Sequence, residues 1–491
     1  MAKNLKVLDL SHCKRLIKTP DFSEFGKLEK LILTGCEKLS MIDGSIGKLT
    51  LLRILNIDGC INLQGLPKEI GSLERLSEII MPSKGKPFKL PETLDGLKSL
   101  MRFEVRNHDG ISQLPDSIGR LTNLTHLLLP GCKSLYKLPD SIGELKSLVH
   151  LDLEQSGIRA IPDSIGNLKR LKIIRVGHPK IERIPCAIGR TEMLEEVDAP
   201  CCYHLKDESL WEMESLTRLR ILNLDWTPIS TVPTMISGFS SLQTLMITSQ
   251  KLCPLPELPS SLKCLVVAAA QFPILPDLSS LVHLDHFEVW RLDSSTASSG
   301  ANEVISPWRD AQSIHQLPRS LSELRLGGIP QLPIFSDFKS LSVLIISGCP
   351  LPHFPAFEYL ERLRELKISL CEFLESTPRM LCLKRIQKLQ LSDLPKLAEI
   401  PGLGQLESLK FLHISRCNAI EQLPNLSKLK NLRHLRLVHC GKIRAIEGLK
   451  ELISLKNAEI KRCMSLERLP NVSASTKLDT KWKWQDAAED I

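Results

Sequence analysis

Residues 124–168 read LTHLLLPGCKSLYKLPDSIGELKSLVHLDLEQSGIRAIPDSIGNL, and the second half of this stretch repeats the first. The motif L-x-x-L-x-L that begins at Leu124 begins again at Leu148, 24 residues later. Each copy ends in the phrase P-D-S-I-G-x-L. A unit of this size cannot bury its apolar face alone, so copies must stack on one another. The stretch therefore predicts a chain built of stacked repeats.

The same motif recurs along almost the whole chain of 491 residues. Its period in the twenties and its leucine spacing are the signature of a leucine-rich repeat. Twenty repeats can be marked by their first apolar residue, at Leu5, Leu28, Leu52, Leu76, Leu100, Leu124, Leu148, Leu171, Leu194, Leu219, Leu242, Leu262, Leu284, Leu321, Leu341, Leu363, Ile386, Leu409, Leu432 and Leu455.

Positions within a repeat are counted here from that first residue. Side chains alternate between the two faces of a strand, so positions four and six, apolar in all twenty repeats, point into the core. Positions three, five, seven and eight then lie on a concave, solvent-facing side. We predict an α/β solenoid, a leucine-rich-repeat horseshoe with a parallel concave sheet and short helical, 3₁₀ or irregular convex segments.

The phrase P-D-S-I-G-x-L predicts the convex return of each repeat. Asp or Ser after the proline is expected to cap a short helical or 3₁₀ turn, at Asp116-Ser117, Asp140-Ser141 and Asp163-Ser164. The following glycines are expected to allow a tight bend, at Gly119, Gly143 and Gly166.

Ten of the fifteen cysteines share position nine, an inward position that is asparagine in many leucine-rich repeats. A buried thiol is a small apolar filler with a weak donor, so the repeat explains their spacing without disulfides. Free thiols indicate a reducing compartment. N-glycosylation sequons at Asn123, Asn425 and Asn471 point weakly to a secreted protein instead. The structural cysteines are Cys13, Cys36, Cys60, Cys132, Cys202, Cys349, Cys371, Cys417, Cys440 and Cys463.

Composition narrows the class of protein. Net charge is +8, from 64 basic and 56 acidic residues, which is too modest at this length to support nucleic-acid binding. The N-terminus lacks the apolar run of a secretory signal, and no uncharged apolar stretch predicts a transmembrane helix. We therefore expect a cytoplasmic protein, with the nucleus as a second compartment.

Changes in the length and regularity of the repeats divide the chain into segments. The first repeat starts abruptly at Leu5 with no polar cap, which suggests a further domain upstream or a shortened gene product. The Ser-rich insertion and the tail are expected to be disordered and frayed, with Trp482 and Trp484 able to cover the last repeat. The predicted divisions are an N-terminal arc (1–248), irregular short repeats (249–320) with the insertion at 291–316, a C-terminal arc (321–470) and a tail (471–491).

Enzyme motifs are missing from the sequence. Gly44–Lys48 superficially suggests a phosphate loop, but it is the S-I-G-x-L turn of the repeat. Cys201, Cys202 and His204 form the one tight Cys/His group, without the second pair that a zinc site needs. We expect no catalytic residues, no metal site and no cofactor.

Binding to a protein ligand is the function that the concave positions favour. The last three repeats present a basic, partly aromatic surface, called here the C-terminal patch. Arginine and aromatic residues are typical interface anchors, although charged residues can also simply solvate an exposed sheet. The candidate protein-binding residues are Trp226 and Trp290 in the middle of the chain and the C-terminal patch itself, namely Phe411, His413, Arg416, His434, Arg436, His439, Lys461 and Arg462.

The consensus sequence of the repeats resembles that of the leucine-rich-repeat region of plant intracellular immune receptors. The resemblance is strongest to the class with a Toll/interleukin-receptor-type domain and a nucleotide-binding domain upstream. The segments that carry the resemblance are LTGCEKL (33–39), IDGCINL (57–63), LPKEIG (66–71), LPELPSSLK (255–263) and ISRC (414–417).

This resemblance implies a recognition module in plant defence that senses a pathogen protein, or a host protein the pathogen modifies, on its concave and C-terminal repeats. It also implies a nucleotide-binding domain upstream in a longer homologue, which the early repeats would hold at rest. An alternative is a stand-alone intracellular scaffold similar to the Ras-group leucine-rich-repeat proteins, which share the phrase L-P-x-x-I-G-x-L. A secreted inhibitor of enzymes would need a signal peptide and disulfide caps.

Overall fold

The computed structural model describes most of the chain. The described ranges are 4–85, 87–211, 213–252, 254–270, 275–292, 317–468, 471–473 and 476–481. The predicted insertion therefore lies largely outside the described residues, and so do Trp482 and Trp484. The chain forms two compact units, Met1–Ser249 and Gln250–Ile491.

Parallel strands run through both units in chain order. Each of the twenty predicted motifs contains one strand, and every strand starts at position three. In the first unit the strands are β1 (Val7–Asp9), β2 (Lys30–Ile32), β3 (Ile54–Asn56), β4 (Glu78–Ile80), β5 (Arg102–Glu104), β6 (His126–Leu128), β7 (His150–Asp152), β8 (Ile173–Arg175), β9 (Glu196–Asp198), β10 (Ile221–Leu224) and β11 (Thr244–Ser249).

The second unit continues the same pattern with longer strands. They are β12 (Cys264–Ala269), β13 (His286–Arg291), β14 (Glu323–Gly327), β15 (Val343–Ser347), β16 (Glu365–Ser369), β17 (Lys388–Ser392), β18 (Phe411–Ser415), β19 (His434–Val438), β20 (Asn457–Lys461) and β21 (Lys477–Lys481). β21 pairs in parallel with β20 and extends the sheet into the segment that we expected to be a tail. The solenoid architecture predicted from the repeats is confirmed.

The core consists of stacked rungs from positions four and six. Both positions are buried in every repeat but the first, where Leu8 and Leu10 are half-buried. Between them, position five faces outward. This alternation is what the pleat of a strand dictates.

A side-chain bond takes up the position-seven amide in several repeats of the first unit. Asp9, Asn56, Asp152 and Asn223 occupy position five, and each accepts a hydrogen bond from the amide of position seven at 2.9–3.0 Å. Such a bond competes with the strand ladder for that amide. In β14 to β20 position five holds no Asp or Asn, and the ladder continues through position seven.

Short 3₁₀ helices form the convex return, mostly in the first unit. They span Gly44–Lys48, Lys68–Ser72, Asp116–Arg120, Asp140–Glu144, Asp163–Asn167, Cys186–Arg190, Thr234–Gly238, Phe335–Asp337 and Leu403–Gln405, beside one short α-helix at Glu208–Trp211. The helical prediction is confirmed, but the capping prediction is wrong. The aspartates of the D-S-I-G turns are the first helical residues, and the preceding prolines are the caps, with no side-chain bond.

The glycine of each D-S-I-G turn has a different role from the one predicted. A Cβ added at Gly119, Gly143 or Gly166 would lie 2.4–2.5 Å from a backbone oxygen of the next repeat. None of the three has a left-handed backbone. Close approach between neighbouring turns, rather than a tight bend, therefore requires glycine there.

The left-handed backbone occurs instead at position eight, directly after the strand. All ten non-glycine residues with positive φ in the described ranges occupy this position, and five of the glycines with positive φ do too. In most of these turns the amide reaches forward to the position-seven carbonyl of the next repeat, as in His439 to Lys461 at 2.9 Å, whereas the amide of Gly59 donates to Asp58 Oδ1. Position eight thus adds one more bond to the ladder.

The position-nine cysteines follow this turn, and most of them point inward and bond through their thiols to the preceding repeat. The thiol of Cys36 donates to the carbonyl of Leu10 in the preceding repeat at 3.1 Å, and Cys60 donates to Leu33 at 3.1 Å. Nine of the ten predicted rung cysteines are buried, while Cys13 in the first repeat is exposed. Every described cysteine is a free thiol.

Replacing Gly59 at position eight by alanine should destabilise the protein. Its φ is +72°, and a Cβ would lie 3.1 Å from the Gly35 backbone. We expect a loss of about 1–2 kcal/mol in the free energy of unfolding, measured by urea denaturation. Gly26→Ala is the matched control, because nothing lies within 4 Å of its Cβ position. Equal losses in both variants would contradict the assigned role of position eight.

Native thiol labelling should separate the exposed cysteines from the ladder. Burial raises the pKa of Cys60 to about 12 and the pKa values of Cys132, Cys202 and Cys440 to about 11. Because the thiolate is the nucleophile, these four should resist iodoacetamide at neutral pH until the protein unfolds. Peptide mass spectrometry should find Cys13 and Cys186, which are exposed, labelled first. Ladder cysteines that stay unlabelled after denaturation without reductant would reveal disulfides and overturn the free-thiol assignment.

Candidate functional site

The concave positions form rows across the second unit because neighbouring strands pair in register. Position five, for example, runs from Lys367 through Gln390, His413 and Arg436 to Glu459. Paired residues on adjacent strands stand roughly 5 Å apart. The register therefore brings the predicted C-terminal patch together on β18, β19 and β20 and the turns that follow them.

Aromatic rings form one edge of the C-terminal patch. The ring of Phe411 lies 6.4 Å from that of His413 and 6.3 Å from that of His434, measured between centroids. The Nδ1 atom of His434 in turn lies 3.2 Å from the side-chain amide of Asn457. Phe411 is half-buried by these neighbours, so it offers a partner a fixed apolar surface.

Acidic residues are interleaved with the cations of the patch. Arg416 pairs with Asp393 at 3.1 Å. Glu459 accepts from both Arg436 and Lys461 at 3.0 Å. The patch is therefore a network of ion pairs whose net charge is lower than the predicted cations alone suggest.

A further acid comes from the strand that the repeat pattern did not reveal. Lys461 also contacts Asp479 of β21 at 3.0 Å. The sequence KLDTK lacks the L-x-x-L-x-L motif, so no periodic signal could have placed Asp479 beside the patch.

Two histidines of the patch, His413 and His439, favour their neutral form. Burial lowers the pKa of His413, and nearby Arg436 lowers it further. Burial and the neighbouring Arg462 likewise lower the pKa of His439, whose Nε2 lies 3.2 Å from Arg462 Nη1. At neutral pH both rings therefore act as hydrogen-bonding and stacking groups rather than as cations.

The two candidate tryptophans lie elsewhere. Trp290 is on β13, five strands away from β18, and its ring covers the backbone of Gly327, where a Cβ would lie 2.1 Å from the ring. Trp226 belongs to the first unit, at position eight of its repeat, with φ 57° and 38% of its surface exposed. Neither tryptophan contributes to the C-terminal patch.

Around Trp290 the structure shows a cluster of charged side chains that we did not predict from the sequence. His286 Nδ1 lies 2.9 Å from Glu323, and its Nε2 lies 3.4 Å from Glu288. Arg325 binds Glu323 at 2.5 Å and reaches Glu288 at 3.6 Å, and the Trp290 indole N–H donates to Glu288. The signal available in sequence was a His-x-Glu-x-Trp strand directly before a Glu-x-Arg strand.

Charge pairing also organises the concave face of the first unit. Glu104 is only 10% exposed and binds both Arg102 and Arg106. Burial raises the pKa of Glu104, but the two arginine hydrogen bonds outweigh burial and hold it below its usual range. His126 and His150 pair across β6 and β7, with ring centroids 5.9 Å apart in an edge-to-face arrangement. In the described ranges no three His, Cys, Asp or Glu side chains are grouped to hold a metal ion.

Comparison with known proteins supports the repeat assignment. Residues 4–134 match the model of a leucine-rich repeat region, and residues 407–451 match a model of two leucine-rich repeats. Among solved structures, the Arabidopsis receptor kinase HAESA, in complex with the peptide hormone IDA and the co-receptor SERK1, is similar at 19% identity and a TM-score of 0.52, over 93% of this chain and 78% of that one. The fold is a leucine-rich-repeat solenoid.

A bacterial structure shares this solenoid. The functional domain of InlJ from Listeria monocytogenes, which includes a cysteine ladder, is 16% identical with a TM-score of 0.52, over 79% of this chain and 73% of that one. At such identity the similarity concerns the fold alone. No helix in the described part of the chain combines the length and the apolar character that crossing a bilayer would require.

Short segments match named plant proteins more closely. The disease resistance protein RML1B of Arabidopsis thaliana is 50% identical over 60 residues, 12% of this chain and 6% of that protein. A second Arabidopsis protein, also named for disease resistance, is 34% identical over 88 residues, 18% of this chain and 7% of its own length. The matched segments thus span less than a tenth of either relative.

His286 should titrate above the usual range of histidine. The bonds to Glu288 and Glu323 raise its pKa, and they outweigh burial, which lowers it. A histidine whose folded pKa is raised stabilises the fold fully below its unfolded pKa of about 6.5, and loses that contribution as pH rises through the folded value. We expect NMR titration to show His286 retaining its proton to higher pH than His126 and His150, whose pKa values burial lowers. Glu323→Gln should shift the His286 titration downward, and an unchanged midpoint would refute this pairing.

Proposed function

We propose that this chain is a protein-recognition module of plant defence. It would sense a pathogen protein, or a host protein altered by a pathogen, on its concave and C-terminal repeats. The observation that carries the proposal is the C-terminal patch, an exposed mixed surface on a rigid sheet, in a chain whose short segments match disease resistance proteins. No catalytic chemistry is needed for this role.

The patch has the composition of a protein interface. Arginine and aromatic residues dominate the residues that carry binding energy at interfaces. Arg436 is 49% exposed while paired with Glu459, so a partner's carboxylate could exchange with or join this pair. Because backbone hydrogen bonds hold neighbouring strands in register, binding would require little rearrangement of the backbone.

In the proposed setting the chain acts in the cytoplasm, with the nucleus as a second compartment, and works with a nucleotide-binding domain supplied upstream in a longer homologue. The solved plant relative HAESA is described with a peptide hormone and a co-receptor. From HAESA this proposal takes only one feature, the use of the solenoid to bind protein or peptide ligands.

Proximity labelling in plant leaf tissue tests the proposal. The chain fused to a biotin ligase should enrich at least one protein after pathogen challenge. Combined replacement of His413, Arg416, His434 and Arg436 by alanine should lower that enrichment about tenfold or more, because it removes several interface anchors at once.

A matched variant controls for loss of surface charge. Alanine at Lys98, Arg120, Arg220 and Arg444 also removes four exposed side chains, each of which pairs with a single acid outside the patch. Partner enrichment should survive in this control, and both variants should keep the parent's melting temperature. If the patch variant retains every partner, the patch serves only to solvate the sheet.

A further inference from the structure

Outside the concave face, three arginines and two serines line one surface depression in the second unit. These residues, called here the arginine cluster, are Ser340, Ser342, Arg362, Arg364 and Arg385. No acidic side chain lines the depression. All three arginines are exposed.

The repeat geometry explains why these side chains converge. Leu341, Leu363 and Ile386 are the fully buried first residues of three successive repeats. Ser340 and Ser342 flank the first of them, Arg362 and Arg364 flank the second, and Arg385 precedes the third. The cluster is thus a grid of side chains anchored on three neighbouring rungs.

Backbone bonds hold the grid in register. The amide of Arg364 donates to the carbonyl of Ser342 at 2.8 Å, and the amide of Gln387 donates to the carbonyl of Arg364 at 2.8 Å. Adjacent rungs stand roughly 5 Å apart. At that spacing guanidinium groups from two rungs can reach oxygens of the same small anion.

The arginines of the cluster are not neutralised by acidic side chains of the described chain. Within the described residues, none of Arg362, Arg364 and Arg385 forms an ion pair. The nearby acid Glu365 is engaged with Lys388 at 2.7 Å. Three exposed like charges therefore line the depression, and an anion bound there would reduce their mutual repulsion.

The first unit shows the opposite arrangement at the same repeat position. There, position two places Lys6 beside Glu29 at 2.9 Å, and Glu195 beside Lys172 at 2.8 Å. In the second unit, position two holds no acid in the seven repeats from β14 to β20, where it is Ser322, Ser342, Arg364, Gln387, Lys410, Arg433 and Lys456. In these seven repeats the charges at position two are therefore all positive, and Ser342 and Arg364 of the arginine cluster belong to this row.

We propose that the arginine cluster binds a phosphate monoester dianion. Arginine presents planar N–H pairs that match phosphate oxygens, and serine hydroxyls can add shorter bonds. Ser342 donates to the Ser322 carbonyl at 3.0 Å, so it has to rotate to donate to the ligand, whereas Ser340 has no side-chain bond to another described residue. The site lies apart from the C-terminal patch and does not depend on the function proposed for that patch.

Calorimetric titration of the full chain tests this site. The probes are inorganic phosphate, a phosphoserine peptide, the unphosphorylated peptide and sulfate. Arg364→Gln and Arg385→Gln should each weaken phosphoserine-peptide binding about tenfold, since each removes charge-assisted hydrogen bonds. The triple Arg→Gln variant should abolish it. Lowering the pH below the second phosphate pKa of about 6 should also weaken binding, because the ligand becomes a monoanion.

Arg220→Gln is the control, since Arg220 also occupies position two but lies 3.9 Å from Glu195. It should leave binding unchanged. Tighter binding of the phosphoserine peptide than of inorganic phosphate would identify a phosphorylated protein as the source, and equal binding would identify free phosphate. Undiminished binding in the triple variant, an equal loss in Arg220→Gln, or equal affinity for sulfate or the unphosphorylated peptide would overturn the site.

Discussion

The turn that follows each strand is the constraint on which the rest of the solenoid depends. Position eight adopts a left-handed backbone in fifteen of the twenty repeats, and in most of these its amide reaches forward to the next repeat. Position nine points inward, and where it is a buried cysteine its thiol commonly reaches back to the preceding repeat, as Cys440 does to Ile414. Each such turn is thereby tied to both neighbours. The register of the sheet, and with it every row of exposed side chains, follows from this repeated connection.

Apolar periodicity was sufficient to predict the strands. Leu412 and Ile414 at positions four and six are buried as expected, and the same holds in nineteen of the twenty repeats. Periodicity failed where the pattern itself stops. β21 pairs Thr480 with Ile460, so a polar residue occupies a position that is apolar in the repeats before it, and the strand carries no motif.

Backbone conformation was harder to predict than burial. Glycine at Gly35 and Gly59 hinted at a left-handed position eight, but Leu370 and Trp226 adopt the same conformation without being glycine. A side chain at this position costs conformational energy that the surrounding ladder must outweigh. The prediction that the convex glycines allow a bend was wrong for a related reason. The glycine is required by contact between the turns of two neighbouring repeats, and the sequence of a single repeat does not show that contact.

Pairing of charges across strands accounts for the remaining difference between the predicted and the observed site. The candidate residues of the C-terminal patch do come together, because the strand register alone places them on adjacent strands. Their charges do not simply add, because long side chains form ion pairs with residues on adjacent rungs, as Arg416 does with Asp393. Around Arg364 the nearby acid Glu365 is paired with Lys388, and the three arginines that line the depression form no ion pair with a described residue.

The aspartate and asparagine bonds at position five link the exposed surface to the backbone beneath it. Position five faces solvent, so it is among the residues that would vary as a binding surface diversifies. Yet Asp152 also accepts from the amide of Glu154, two residues further along the chain. A substitution at one exposed position can therefore remove the partner of a main-chain amide as well as change the chemistry of the surface. Diversification of this face is consequently not limited to side chains, since a single exchange to or from Asp or Asn would also change which main-chain groups a ligand can bond.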